Sequence, residues 1–420
     1  MRLFSRPHTV GLLVLTHVCL LSPPAHGYID PGTGSALVYV ITGLVVSLFF
    51  GARGLYYRMS ELAFRRGYKH QKCGLAIHSE DPRYEITFLP VIRALSADGV
   101  ELTYFTMYER DQSFEPLPQG VSHHVIAPGL VGYAYLNHLQ AQLLLTTTPQ
   151  LDVMMFRRSK TVKHYAHIQH ALGESRYVRP YAYDYFDTIL CCGPIFKANL
   201  RKMEAIRASS PKQLLETGVP HYDEWLESAR EDRLPNTRPL ILIAPSWGPL
   251  SLFECFGTDF VKSIAKEYDV VVRPHPQIRV SNPTLYDEII NIEGVTVNTD
   301  RTPQAVLKQA DLLISDISGI MHEFAFIYEK PVIIVDRVMQ QGGLEGELLG
   351  GDSDLKERCR DIIVPIAPEE IHSIATHIES TFKKFSKDRA RELRQELVYN
   401  FGYAGRAAAD QVQELLRCLS

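Results

Sequence analysis

From residue 74 onward, short apolar runs alternate with longer stretches in which apolar residues recur every three or four positions. The runs 74–78, 100–106, 142–146 and 188–192 have strand length, while 88–95 carries helical spacing. Runs that stay apolar on both faces predict parallel strands covered by helices on each side. The mostly polar segment 232–240, DRLPNTRPL, holds two prolines and predicts an interdomain linker. A second cycle then begins, with strands at 240–244, 270–273, 295–298, 312–315 and 332–336 and helices at 260–267, 302–309 and 320–326. The tail 386–416 has helical spacing broken at Asn400-Phe401-Gly402. These patterns predict an α/β protein of two Rossmann-like halves, 70–235 and 236–385, followed by a helical tail at 386–420. Open α/β domains hold ligands beyond the carboxyl ends of their strands, here in the cleft between halves. The residues just after each strand are therefore where the chemistry is expected.

The first 60 residues read differently. Arg2 and Arg6 precede an apolar run at 10–21, then Pro23, Pro24 and the small-residue site Ala25-His26-Gly27. That layout predicts a secretory signal peptide at 1–27, with an uncleaved first membrane segment as the alternative. From Gly32 to Ala52 no charge interrupts the chain, which matches the ~20 residues that span a hydrocarbon core. A membrane segment is expected within 28–57; an interfacial or re-entrant hairpin is its alternative, because Gly32, Gly34 and Gly43 soften the helix. Arg53, Arg58, Arg65, Arg66, Lys69 and Lys72 follow, diluted only by Glu61. Positive residues after a span stay on the cytoplasmic side. The expectation is a single span in the cell membrane with the catalytic part facing the cytosol.

Composition narrows the class. The chain has 420 residues, 45% hydrophobic and 22% charged, with a formal net charge of −4. This excludes a disordered or fibrous chain and a polytopic membrane protein, and leaves no basic field to gather nucleic acid. The seven cysteines form no C-x-x-C pair, so neither a zinc site nor a redox dithiol is expected.

Three strand ends carry the strongest signals. In 312–336, LLISDISGIMHEFAFIYEKPVIIVD, a buried strand ends in Ser315-Asp316 and a turn bearing Ser318-Gly319 opens a helix. Backbone N–H groups at such a helix start, with hydroxyls and a glycine beside them, suit a phosphate; helix capping by Asp316 and Ser318 is the plain alternative. No G-x-G-x-x-G and no Walker lysine is present, so dinucleotide and P-loop readings fail. In VVVRPHP, 270–276, a rigid turn presents Arg273 and His275, which suits a diphosphate. In HIQHALGES, 167–175, two histidines three apart fit metal ligands on one helical face or a general base. His170, nearest the glycine turn, is the expected base; His164 and His167 also fit hydrogen-bonded strand residues. APSWG at 244–248 offers Ser246, and TGVPHYD at 217–223 lies where a cleft wall is expected.

The order HIQHALG, TGVPHYD, IAPSWG, VRPHP, SDISGIMHEFA resembles the CDP-glycerol glycerophosphotransferases of teichoic-acid biosynthesis, over about 142–405. That resemblance implies a GT-B (glycosyltransferase-B) fold and transfer of glycerol phosphate, or a related polyol phosphate, from a CDP-alcohol. The implied acceptor is a hydroxyl of a cell-envelope polysaccharide or lipid-linked molecule, and CMP is released. It places His170 on the family's catalytic base, His275 on its second essential histidine and Ser318 on the first serine of the diphosphate-binding turn. Asp316 and Glu323 fall on the acidic positions around that turn. Arg273, Ser246 and Gly319 complete the expected substrate-binding set, and no cofactor or metal is expected. Two positions depart from the family pattern: Ala171 replaces the glycine after the first histidine, and Gly319 replaces the second serine. Two other readings stay open. One is a GT-B glycosyltransferase or a UDP-N-acetylglucosamine 2-epimerase-like enzyme, and the other a membrane-anchored nucleotide-binding scaffold without turnover.

Overall fold

The computed structural model describes residues 40–52, 54–55, 59, 72–112, 114–233, 235–300, 302–316, 318–336, 343–351 and 353–419. The chain divides into two units, residues 1–67 and 68–420. In the first, 40–52 is helical and exposed throughout. Among the described residues no helix is long and apolar enough to cross a membrane, so the expected membrane segment is not supported at this level. The expected signal peptide and the rest of 28–57, apart from residues 54 and 55, lie outside the described residues.

The second unit is built on two parallel sheets. The first has seven strands: β1 Lys72–Ser79, β2 Leu102–Thr106, β3 Val121–Val125, β4 Gln140–Thr146, β5 Val162–Ile168, β6 Thr188–Cys191 and β7 Gln213–Glu216. Their spatial order is β3-β2-β1-β4-β5-β6-β7. Six strands form the second: β8 Leu240–Ile243, β9 Asp269–Val272, β10 Thr296–Val297, β11 Leu312–Ser315, β12 Val332–Val335 and β13 Ile363–Ile366, in the order β10-β9-β8-β11-β12-β13. Both orders reverse direction beside the first strand, between β1 and β4 and between β8 and β11. Those are the switch points where ligands settle in open α/β sheets.

Register follows from the apolar runs. Leu75 of β1 stands opposite Leu102 on one side and Leu143 on the other, so a single row of leucines crosses three strands. Leu313 of β11 likewise lies between Leu242 and Val332. The helix Glu85–Ala97 lays Phe88, Val91, Ile92 and Leu95 on the first sheet. Ala408, Ala409, Val412 and Leu415 of the last helix, Ala404–Leu419, complete the same core. The tail therefore packs with the first sheet, after the chain has built the second. Gly405 permits this crossing, because a Cβ there would stand 2.6 Å from Pro90 Cβ. Asp223 fixes it by accepting from the backbone N–H groups of Ala404 and Gly405 at 2.9 and 2.8 Å, which satisfies donors at the helix start.

The α/β class and the parallel sheets agree with the sequence pattern. Strands β3, β5, β7 and β13 were not anticipated. β3 (VSHHV) and β7 (QLLE) are sheet-edge strands of mixed polarity, β5 (VKHYAHI) carries Lys163 and two histidines, and β13 contains Pro365, which only an edge strand tolerates.

Candidate active site

The HIQHALG segment is the end of β5 and the turn after it, not one face of a helix. His167 is enclosed by Tyr183 and Phe186. Its Nε2 lies 3.0 Å from the Thr147 carbonyl and its Nδ1 3.2 Å from Gln169 Nε2, so both nitrogens are engaged. This rules it out as a partner of His170 in a metal site. Among the described residues no group of three His, Cys, Asp or Glu is placed to hold a metal ion. His164 also serves the sheet, through Thr188 at 2.8 Å.

His170 differs from both. It stands beyond the strand, opens to the cleft while the two halves surround it, and has no hydrogen-bond partner among the described residues. The Tyr84 ring lies 4.7 Å away. Enclosure, with the fields of His221 and Arg83, pushes its imidazole down to about 4, so it is neutral and able to accept a proton at neutral pH.

Across the cleft, β11 ends at Ser315 and the helix Ile320–Ile327 starts just after Ser318-Gly319, with no side chain capping it. Asp316 does not cap its own helix. Its buried carboxylate accepts from the backbone N–H of Ser246 at 2.7 Å and of Leu252 at 2.9 Å, tying the APSWG loop to the turn. Burial raises its pKa. Ser246 thus anchors its loop on Asp316, and Asp316 is a positioning residue. Gly319 meets the other half directly: a Cβ there would stand 3.4 Å from Ala171 Cβ.

His170, Ala171, Asp316, Ser318 and Gly319 line one cavity of about 540 Å³. Aromatic and apolar side chains, among them Tyr177, Tyr183 and Phe196, line the cavity too. The remaining predicted residues lie elsewhere. His275 sits in the turn after β9, half-buried beside Trp247, whose ring is 6.1 Å away. Its Nδ1 accepts from the Gln277 backbone N–H at 3.1 Å, which assigns the proton of the neutral ring to Nε2. Burial, Arg83 and Arg273 push it down to about 4. At neutral pH it is therefore a donor through Nε2 and not a base. Arg273 points to the next loop, where its guanidinium donates to Asn298 Oδ1 and to the Asp300 carbonyl. Glu323 is buried and accepts from His221 Nε2 at 3.0 Å. It joins TGVPHYD to the turn helix rather than lining the cavity.

Two features escaped the sequence reading. Arg83 follows β1, held by Asp81 through Nε at 2.8 Å and Nη2 at 3.1 Å, and its charge acts on both His170 and His275. It stands just past a strand end, the position expected to carry chemistry. The second is His322, inside SDISGIMHE, which lines the cavity.

Residues 195–337 match the model of the family CDP-Glycerol:Poly(glycerophosphate) glycerophosphotransferase. The family resemblance is borne out. With it stands the enzyme class, a CDP-glycerol glycerophosphotransferase-like phosphotransferase. The match is narrower than the motif resemblance: it holds Ser246, Arg273, His275, Asp316, Ser318, Gly319 and Glu323 and stops short of His170. No match was found among curated proteins. Among solved structures, the wall teichoic acid polymerase TagF is similar at 12% identity and a TM-score of 0.54, covering 93% of this chain and 99% of that one. A UDP-GlcNAc 2-epimerase from Neisseria meningitidis is similar at 12% identity and a TM-score of 0.50, covering 83% and 100%. At these identities the likeness establishes the fold, two facing Rossmann-like halves of GT-B type.

Proposed function

We propose that this glycerophosphotransferase-like chain moves glycerol phosphate, or a related polyol phosphate, from a CDP-alcohol to a hydroxyl of a cell-envelope glycopolymer or lipid-linked acceptor. The observation that carries the reading is the meeting of His170 and the Ser318-Gly319 turn on one cavity at the carboxyl ends of both sheets. In the proposed step the acceptor oxygen attacks the β-phosphorus in line and gives its proton to His170. The bond from that phosphorus to the bridging oxygen breaks, and CMP leaves with the electron pair. The amides after Ser318 are donors suited to the diphosphate charge, and the Nε2–H of His275 would join them only for a donor that reaches beyond this cavity to the turn after β9. We further propose that the uncharged segment 32–52 and the basic residues after it attach the enzyme to the cytoplasmic membrane face, where a lipid-linked acceptor is presented.

The test is CMP release from CDP-glycerol by detergent-solubilised protein, with and without membrane extract. Release is expected to require extract and to fall ~10²–10⁴-fold in His170→Ala, the usual worth of a general base. Turnover of a UDP-sugar with silence toward CDP-glycerol would replace this reading with the sugar-nucleotide one. Tight binding without turnover of any donor would leave the scaffold.

A further inference from the structure

His322 has no part in the step above, yet it lines the same cavity. It is 4% exposed, and neither ring nitrogen has a hydrogen-bond partner. Its stacked neighbour, the Phe326 ring at 6.2 Å, offers no acceptor. The fold does satisfy a buried histidine of the first half, since both nitrogens of His167 are engaged. A buried polar group left open is a standing penalty to stability and asks for an explanation.

Placement supplies one. His322 is the third residue of the helix that the Ser318-Gly319 turn opens, so it stands in the first turn, next to that loop. Helical side chains lean toward the N-terminus, which carries the imidazole back toward the turn. Burial pushes the ring down to about 4, so at neutral pH it offers one N–H donor and one lone pair. His170 by contrast opens to the cleft. A polymeric or lipid-linked acceptor must enter from that open side, and in-line displacement puts the leaving group opposite the attacking oxygen. The enclosed part of the cavity then lies on the side of the leaving half of the donor.

We propose that His322 is a donor-binding residue whose ring hydrogen-bonds the nucleotide half of the CDP-alcohol, the part that leaves as CMP. The assignment rests on the donor reading above and deepens it.

His322→Phe keeps the ring and removes both nitrogens, and His322→Gln keeps a donor and an acceptor. Whole protein in detergent is titrated calorimetrically with CMP and with CDP-glycerol, and its thermal unfolding is followed without ligand at pH 7.5. In His322→Phe both dissociation constants are expected to rise ~10-fold or more, while the ligand-free midpoint rises because an unpaired buried group is gone. His322→Gln is expected to recover part of the affinity. Equal affinity for CMP in wild type and His322→Phe overturns the assignment and leaves the donor reading standing. A lowered midpoint in His322→Phe also overturns it, because the ring would then be holding the fold. Wild-type protein that binds neither CMP nor CDP-glycerol overturns the donor reading and the role of His322 together.

Discussion

Lowering the pH from 7.5 to 5 is expected to remove a large part of this protein's stability, and three histidines set the scale. His78, His167 and His322 are enclosed, and burial pushes their imidazoles down to about 3, 3 and 4. In the fold each stays neutral over that range, whereas the unfolded chain takes up a proton at each near ~6.5. The unfolded state therefore binds more protons as the pH falls. The contribution of each ring is complete above about 6.5 and is lost progressively toward its folded value. At pH 5 the solvent lies ~1.5 units below the unfolded value, so each ring costs about 2 kcal/mol and the three together about 6 kcal/mol. That is comparable to the whole stability of a small domain, ~5–15 kcal/mol. His170 and His275, also pushed down to about 4, add to the loss, whereas Asp223, Glu224 and Asp316, whose pKa values burial raises, act in the opposite sense and reduce it. A difference measurement isolates one ring. Urea unfolding of wild type and His322→Phe at constant ionic strength should show the advantage of the variant shrinking on neither side of the range, but growing by about 2 kcal/mol between pH 7.5 and 5. A difference independent of pH would refute the claim that burial holds His322 neutral.

Two further outcomes follow from the same structure. Because the His170 imidazole lies at about 4 in the free enzyme, kcat/KM for CMP release should be level from pH 8 down to about 5.5 and decline only below that; an inflection near 6.5 would mean that the cleft does not perturb this base. Gly218 has φ +88°, and a Cβ there would stand 2.1 Å from the Tyr399 carbonyl oxygen. Gly218→Ala is expected to cost about 2–4 kcal/mol and to loosen the tail, read as a lower unfolding midpoint and faster tryptic cleavage at Arg406; an unchanged midpoint and cleavage rate would show that the tail is not clamped there.

Much of this fold is legible because parallel strands buried on both faces leave continuous apolar runs. LILI at β8, LLIS at β11 and VIIV at β12 stand within a residue or so of where the pattern puts them. At three of the four sheet edges, β3, β7 and β13, that signal fails, while the edge strand β10 still falls within the expected 295–298. It fails also in β5, whose histidines are paid for by local partners such as Thr147 and Thr188. The site was legible to the extent that strand ends mark it: His170, Ser318 and Gly319 do line the cavity. What a one-dimensional reading could not supply is the direction of each side chain. Arg273 and His275 leave the same turn, yet the guanidinium reaches back to Asn298 while the imidazole stays by Trp247. Glu323 and Asp316 flank the same turn, but each accepts from a different neighbouring segment, through His221 and through Ser246.

The two departures from the glycerophosphotransferase pattern acquire a joint meaning in three dimensions. Read separately, Ala171 adds a methyl where the family has glycine, and Gly319 loses a hydroxymethyl where the family has serine. In the structure these positions face each other across the cleft, with 3.4 Å between Ala171 Cβ and the place a Cβ would occupy on Gly319. A Cβ at 319 would meet Ala171 in van der Waals contact, so the two halves already approach each other closely at this pair. Bulk present at 171 and absent at 319 leaves the approach of the two halves unobstructed and the backbone N–H groups after Ser318 uncovered. Relative to that pattern, the side-chain volume at this contact comes from the first half, through Ala171, and not from the second, where Gly319 stands.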